Sequence, residues 1–150
     1  MATAEPYVLC ELAGTAYAIP SQSVQRMEMI ETVTPVPNAP SYVDGVVFSR
    51  GRVVPAVNLR RKFGFEPMAY DLKTRLVVVA DADRVVGLIV DSAREFVTIP
   101  ADAIQAPPEG LAGTAESYLN GVATLNGKVV LVLNVAEILN HTNTPPTAAT

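Results

Sequence analysis

Along this chain the apolar positions fall in short runs separated by turn residues, and they do not recur at helical spacing. YVLCEL and TAYAIP flank Ala13-Gly14 and read as a hairpin. SVQRMEMIE reads as a strand with one helical turn at its start. TPVPNAPSY holds three prolines and reads as an ordered connector or edge segment. GVVF and RVVPAVN form the next hairpin, and Pro55, which cannot donate to a ladder, predicts a bulge or an edge there. NLRRKFGF predicts one helical turn stopped by Gly64. RLVVVA and RVVGLIV follow, joined at Asp81-Ala82-Asp83, then the strand REFVTI, a turn at PADAI and the loop APPEGLAGTAE. YLNGVATL and KVVLVLN close over Asn126-Gly127, the pair that a type I′ turn prefers because both central residues need positive φ. Asn134 caps a short helix over VAEIL with Glu137 three residues on. About ten short strands with no long helix between them predict an all-β barrel or sandwich.

One hairpin is written twice. Shifted by 76 residues, Tyr42 falls on Tyr118, Gly45 on Gly121, Gly51 on Gly127, Val53 on Val129 and Asn58 on Asn134. Further upstream AIPSQSVQRM resembles LIVDSAREF at an offset near 70. Two related β units packed against each other are therefore expected. The tips differ: the second is the purely structural Asn126-Gly127, whereas the first, FSRG, carries Phe48 and Arg50. A turn needs no arginine, so Arg50 is either a solvated loop side chain or a recognition element.

Composition narrows the function. With 150 residues, 49% apolar and 17% charged, the chain can fill one substantial core. A net charge of −4 and a pI near 4.9 argue against a nucleic-acid partner, and the only basic cluster is Arg60-Arg61-Lys62. No run approaches a membrane span and the N-terminus lacks a signal-peptide pattern, so a soluble cytoplasmic protein is expected. A tail is expected to be disordered over residues 142–150.

Chemistry-bearing residues are few. Cys10 is the sole cysteine, within a strand, and reads as a small buried hydrophobe. His141 is the sole histidine and reads as a solvated or helix-capping residue, which leaves no material for a hydrolytic triad. Asp81 and Asp83 flank a turn and Asp71 lies in a polar link; backbone hydrogen bonding is their ordinary use, and a carboxylate-held metal at Asp81 and Asp83 is the enzymatic alternative. No phosphate-binding glycine motif occurs. A non-catalytic interaction protein fits best, with no cofactor and no metal expected. A small-molecule-binding β-barrel is the other alternative.

YVDGVVFSRGRVVPAVNLRRKFG resembles the signature of the CheW family, the coupling proteins of bacterial chemotaxis. The resemblance runs on through YAIPSQSVQRMEMIETVTPVPNAP, RVVGLIVDSAREFVTIP and YLNGVATLNGKVVLVLNVAEIL, from about Pro6 to Leu139 and in the family's order. It implies two SH3-like five-stranded β-barrels around a shared apolar core. They would form a single domain over residues 1–141, divided at roughly 15–70 and 71–141 plus the N-terminal strand. It implies no catalysis, but an adaptor between a chemoreceptor's cytoplasmic tip and the CheW-like regulatory domain of a CheA-type histidine kinase, in membrane-associated arrays where copies also self-associate.

Position by position, the resemblance gives Arg50 the role of receptor anchor and makes Val24 an apolar contact. Leu76 joins the same groove, Phe48 either enlarges the apolar contact or fills the adjacent core, and Gly45 and Gly51 shape the hairpin. Departures from the family are Phe48-Ser49 in place of Asn-Leu, Asn58 in place of Asp, and Arg26 where an acidic residue is common. They leave open a paralogue serving pilus motility or another chemosensory pathway.

Overall fold

Two-residue turns convert nearly every apolar run into a hairpin. β1 (Ala4–Leu12) and β2 (Thr15–Pro20) pair across Ala13-Gly14, and a 3-10 turn at Ser21–Ser23 leads into β3 (Val24–Met29). β4 (Val43–Ser49) and β5 (Arg52–Asn58) pair across Arg50-Gly51, followed by the single-turn helix α1 (Leu59–Lys62). β6 (Arg75–Asp81), β7 (Arg84–Val90) and β8 (Ser92–Pro100) come next, then a 3-10 turn at Ala101–Ala103 and β9 (Ile104–Gln105). β10 (Leu119–Leu125), β11 (Lys128–Leu133) and α2 (Val135–Asn140) complete the set. These come from a computed structural model that describes residues 4–30, 32–106 and 118–140. His141, the expected tail and most of the loop APPEGLAGTAE lie outside the described residues.

The strands form two sheets, β8-β1-β2-β11-β10-β9 and β3-β6-β7-β5-β4, each the sheet of an SH3-like unit. The 76-residue repeat is structural. The bulge between Val43 and Gly45 recurs between Leu119 and Gly121, and the Asn58 N–H donates to the Tyr42 carbonyl at 2.7 Å as that of Asn134 does to Tyr118. Asn58 and Asn134 each cap the following helix, accepting from the N–H of Arg61 and Glu137. The parallel pair β5·β7 has its counterpart in β11·β2. Gly45 and Gly121 recur because a neighbour crosses them: a Cβ on Gly45 would lie 2.1 Å from the Thr34 carbonyl oxygen, and one on Gly121 2.7 Å from that of Gln105.

The sheets do not divide the chain near residue 70. β6 and β7 complete the sheet of β3, β4 and β5, because β7 runs alongside β5 from Ala56↔Gly87. The equivalent closing hairpin of the other unit is β1–β2, from the far end of the sequence. One unit is thus continuous from Val24 to Val90, and the other is a circular permutation of it assembled from both flanks. β9 is the second unit's version of the Thr34↔Val46 bridge, two residues long. Pro55 sits on neither an edge strand nor a bulge; it occupies the rung just before β5 begins pairing with β7, where no N–H is required on that side.

Each unit has a small interior: Val47, Ala56, Leu76, Val78 and Ile89 in one, Tyr7, Ala18, Ile99 and Val132 in the other. A larger core spans both, with Val8, Leu12, Ile19, Val77, Leu88 and Ile138 among its members. β6 explains its own unbroken apolar run: Leu76 and Val78 fill its barrel while Val77 and Val79, on the opposite face, fill the shared core.

Candidate functional site

The β4–β5 turn is of type I′, with Arg50 at φ 52° and Gly51 at φ 78°, matching Asn126 at 53° and Gly127 at 79°. Asparagine tolerates this left-handed backbone; for arginine it costs about 1 kcal/mol. Strain of this kind is held by surrounding structure, and Ala13 and Ala82 carry a similar φ in their own hairpin turns. Three apolar side chains surround the tip. Phe48 is 73% exposed, its cross-strand neighbour Val53 is exposed beside it, and Met29 at the end of β3 is exposed too. Between β3 and the tip lies an open concavity of about 450 Å³, lined by Glu28, Met29, Thr34, Val47, Phe48 and Arg50.

Beneath the tip is a polar cluster. Ser49 Oγ donates to the Glu28 carboxylate at 2.8 Å and accepts from Arg26 Nη2 at 2.7 Å, while Arg26 Nε also donates to Glu28 at 2.9 Å. Arg50 Nε stands 3.9 Å from the same carboxylate, with its side chain 72% exposed. The site is thus a cation on a turn, flanked by exposed apolar groups and loosely ion-paired to a hydrogen-bonded polar floor. It offers no acid–base pair. It is suited to hold an amphipathic surface carrying an acceptor.

A model of the CheW-like domain family matches residues 6–143. The chain belongs to the CheW-like family. Chemotaxis protein CheW of Klebsiella aerogenes is 29% identical over 136 residues, 91% of this chain and 82% of its own length. CheW of Helicobacter pylori is 34% identical over 82% of this chain and 74% of its own, and protein FrzA of Myxococcus xanthus 31% identical over 81% and 76%. The solved scaffolding protein TtCheW of Thermoanaerobacter tengcongensis shares the fold, with a TM-score of 0.80 over 89% of this chain and 86% of that one at 23% identity.

On this CheW-like frame the expected site residues do not all converge. Phe48 and Arg50 share the tip. Val24 is half-buried and opens β3, at the opposite end from Met29 and against the shared core. Leu76 lies on the rung opposite Glu28, but its side chain points into the barrel, 1% exposed and against Gly87, so it offers a partner no surface. Glu28, Met29 and Val53 belong to the site and were not singled out from the sequence. The i, i+2 spacing of Arg26 and Glu28 on one strand face was the available signal.

Asn58 and Ser49 both sit in local hydrogen-bond networks. Asn58 donates to Asp44 Oδ2 at 3.0 Å, where an aspartate would oppose a carboxylate; Asp44 also takes Arg61 at 3.5 Å and the Tyr70 hydroxyl, whose ionisation burial and that bond push up. Ser49 and Arg26 bond each other.

Elsewhere the acidic residues serve structure. Asp81 pairs with Arg84 at 3.8 Å, and Asp71 Oδ1 accepts from the N–H groups of Lys73 and Thr74. Among the described residues no group of three or more His, Cys, Asp or Glu is placed to hold a metal. Cys10 is buried, and burial, with Asp91 and Glu11 nearby, pushes its thiol up to about 12. Between the units Tyr17, Phe63 and Tyr118 line a cavity of about 130 Å³, with the Lys62 ammonium 4.0 Å from the centre of the Tyr42 ring and 5.4 Å from that of Tyr118. No helix among the described residues is long and apolar enough to cross a membrane.

Proposed function

We propose that this chain is a non-catalytic adaptor that couples the cytoplasmic tips of chemoreceptors to a CheA-type histidine kinase in chemotaxis-like signalling. Membership of the CheW-like family across residues 6–143 carries the reading. The tip supports it: Arg50 is the anchor to receptor carboxylates or helix carbonyls, and Phe48 adds apolar contact, joined by Met29 and Val53. Val24 contributes along β3, and Leu76 acts from below by filling the barrel under Glu28. The kinase's regulatory domain, itself CheW-like, docks barrel to barrel, and the adaptor works in the cytoplasm, recruited to membrane-associated arrays in which copies self-associate. Residues 1–141 act as one domain.

Titration calorimetry against the regulatory domain and a receptor-tip fragment, with wild type and Arg50→Glu, tests this. Binding of both partners by wild type, with only the receptor weakened in the variant, is the expected result; failure of wild type to bind either one overturns it.

A further inference from the structure

The repeat breaks its own symmetry at one residue of the seam between the units. Shifted by 76 residues, Leu59 falls on Val135 and Phe63 on Leu139, apolar on apolar, but Lys62 falls on Ile138. Ile138 is fully buried in the shared core, so an aliphatic side chain serves the packing at this position. An ammonium there carries a desolvation cost instead, and burial holds Lys62 below its ordinary pKa.

The ammonium is aimed. Lys62 Nζ stands 4.0 Å from the centre of the Tyr42 ring and 5.4 Å from that of Tyr118, the two tyrosines that the repeat makes equivalent. Beside it opens the cavity of about 130 Å³, the size of a single six-membered ring: an apolar cavity of about 150 Å³ accepts benzene. Its wall is an aromatic series. The Phe63 ring centre lies 5.8 Å from that of Tyr17 and 5.4 Å from that of Tyr118, and the second pair is stacked. Leu119 and Leu131 line the rest. Among the described residues that line the cavity, Lys62 carries the only charge.

We propose that this cavity is a binding site for a monocyclic aromatic carboxylate of the size and charge of benzoate. The ring extends the series of Tyr17, Phe63 and Tyr118, and the carboxylate pairs with the Lys62 ammonium. The lining belongs to the shared core and to neither barrel interior, and it shares no residue with the concavity at the β4–β5 tip. The site therefore adds to the adaptor surface and does not depend on the receptor reading. Because Lys62 and Phe63 follow β5 while Tyr17, Tyr118 and Leu131 belong to the other sheet, an occupant touches both units.

Two-dimensional NMR titrations and thermal melts of the full chain test this, with benzoate, benzyl alcohol and cyclohexanecarboxylate as probes and wild type, Lys62→Met and Lys62→Arg as proteins. Benzoate is expected to bind wild type saturably, to shift amides clustered at Tyr17, Phe63 and Leu131, and to raise the melting temperature. Removing the charge from either side, with benzyl alcohol or with Lys62→Met, weakens binding about tenfold. Lys62→Met then binds benzoate and benzyl alcohol alike, and Lys62→Arg keeps most of the benzoate affinity. Cyclohexanecarboxylate, which has the charge without the aromatic face, binds wild type more weakly than benzoate does. The proposal is overturned by the absence of saturable shifts at the cavity, by undiminished benzoate affinity in Lys62→Met, or by equal binding of cyclohexanecarboxylate.

Discussion

Arg60 grips Asp91 with two prongs, Nε to Oδ1 and Nη2 to Oδ2, both at 2.7 Å. The pair fastens α1 to the junction of β7 and β8, and Asp91 also accepts the Ala13 N–H from the β1–β2 turn at 2.9 Å. Three segments of the chain, from both units, therefore meet at one carboxylate. Burial alone would raise the Asp91 pKa, but the Arg60 and Ala13 hydrogen bonds outweigh it and hold the group below its ordinary value. The folded state thus binds this proton less readily than the unfolded state does. The pair's contribution is present above the ordinary aspartate pKa of 3.8 and fades as pH falls through the depressed folded value. Asp91→Asn is expected to lose about 1–2 kcal/mol at neutral pH, because the partly buried Arg60 loses its carboxylate and keeps only the Glu66 carbonyl. Urea unfolding at pH 7 and again in acid checks this: the gap between variant and wild type narrows in acid.

Arg50→Asn places at the first tip the residue that the second tip uses. Relief of the left-handed backbone is expected to stabilise the protein by up to about 1 kcal/mol while removing receptor binding. A thermal melt paired with the receptor titration reads both effects, and a fall in melting temperature would contradict the strain account.

Gly45→Ala and Gly127→Ala separate two reasons for glycine. Both have positive φ, but only at Gly45 would a Cβ run into backbone, at Thr34. Gly127→Ala is expected to cost about 1 kcal/mol, and Gly45→Ala about 3 kcal/mol or more. Denaturant midpoints for the two variants give the comparison.

Cys10 is expected to resist thiol reagents in the native protein at pH 8, since it is 1% exposed and its thiolate is disfavoured. Labelling then proceeds only through unfolding, and a maleimide time course across urea concentrations follows that opening. Prompt labelling without denaturant would show β1 to be loosely held.

Much of this was legible in the residues because hairpins are local. Ala13-Gly14, Arg50-Gly51 and Asn126-Gly127 each set a glycine at the second turn position, and the copied glycines announced two units. The partition of strands between those units was not legible. Parallel pairing of β2 with β11 joins Ala16 to Val130 and leaves no mark in either segment alone. The inward orientation of Leu76 was hidden for a related reason: in RLVVVA every position after Arg75 is apolar, so the sequence cannot say which side chains face inward. Glu28 was overlooked because its importance comes from Ser49 across the sheet, 21 residues away.

The permuted closure has a consequence for how the protein comes into being. β1 and β2 precede the other described strands, yet β2's partner β11 follows them all. The unit spanning Val24 to Val90 has all its strands well before that. On the ribosome the opening hairpin must therefore wait, with Tyr7 and Ala18 lacking the Val130 and Val132 side chains that complete their barrel interior, until β11 emerges and clasps it. A late strand completes an early hairpin, and a nascent chain halted before β11 leaves that hairpin open to other strands.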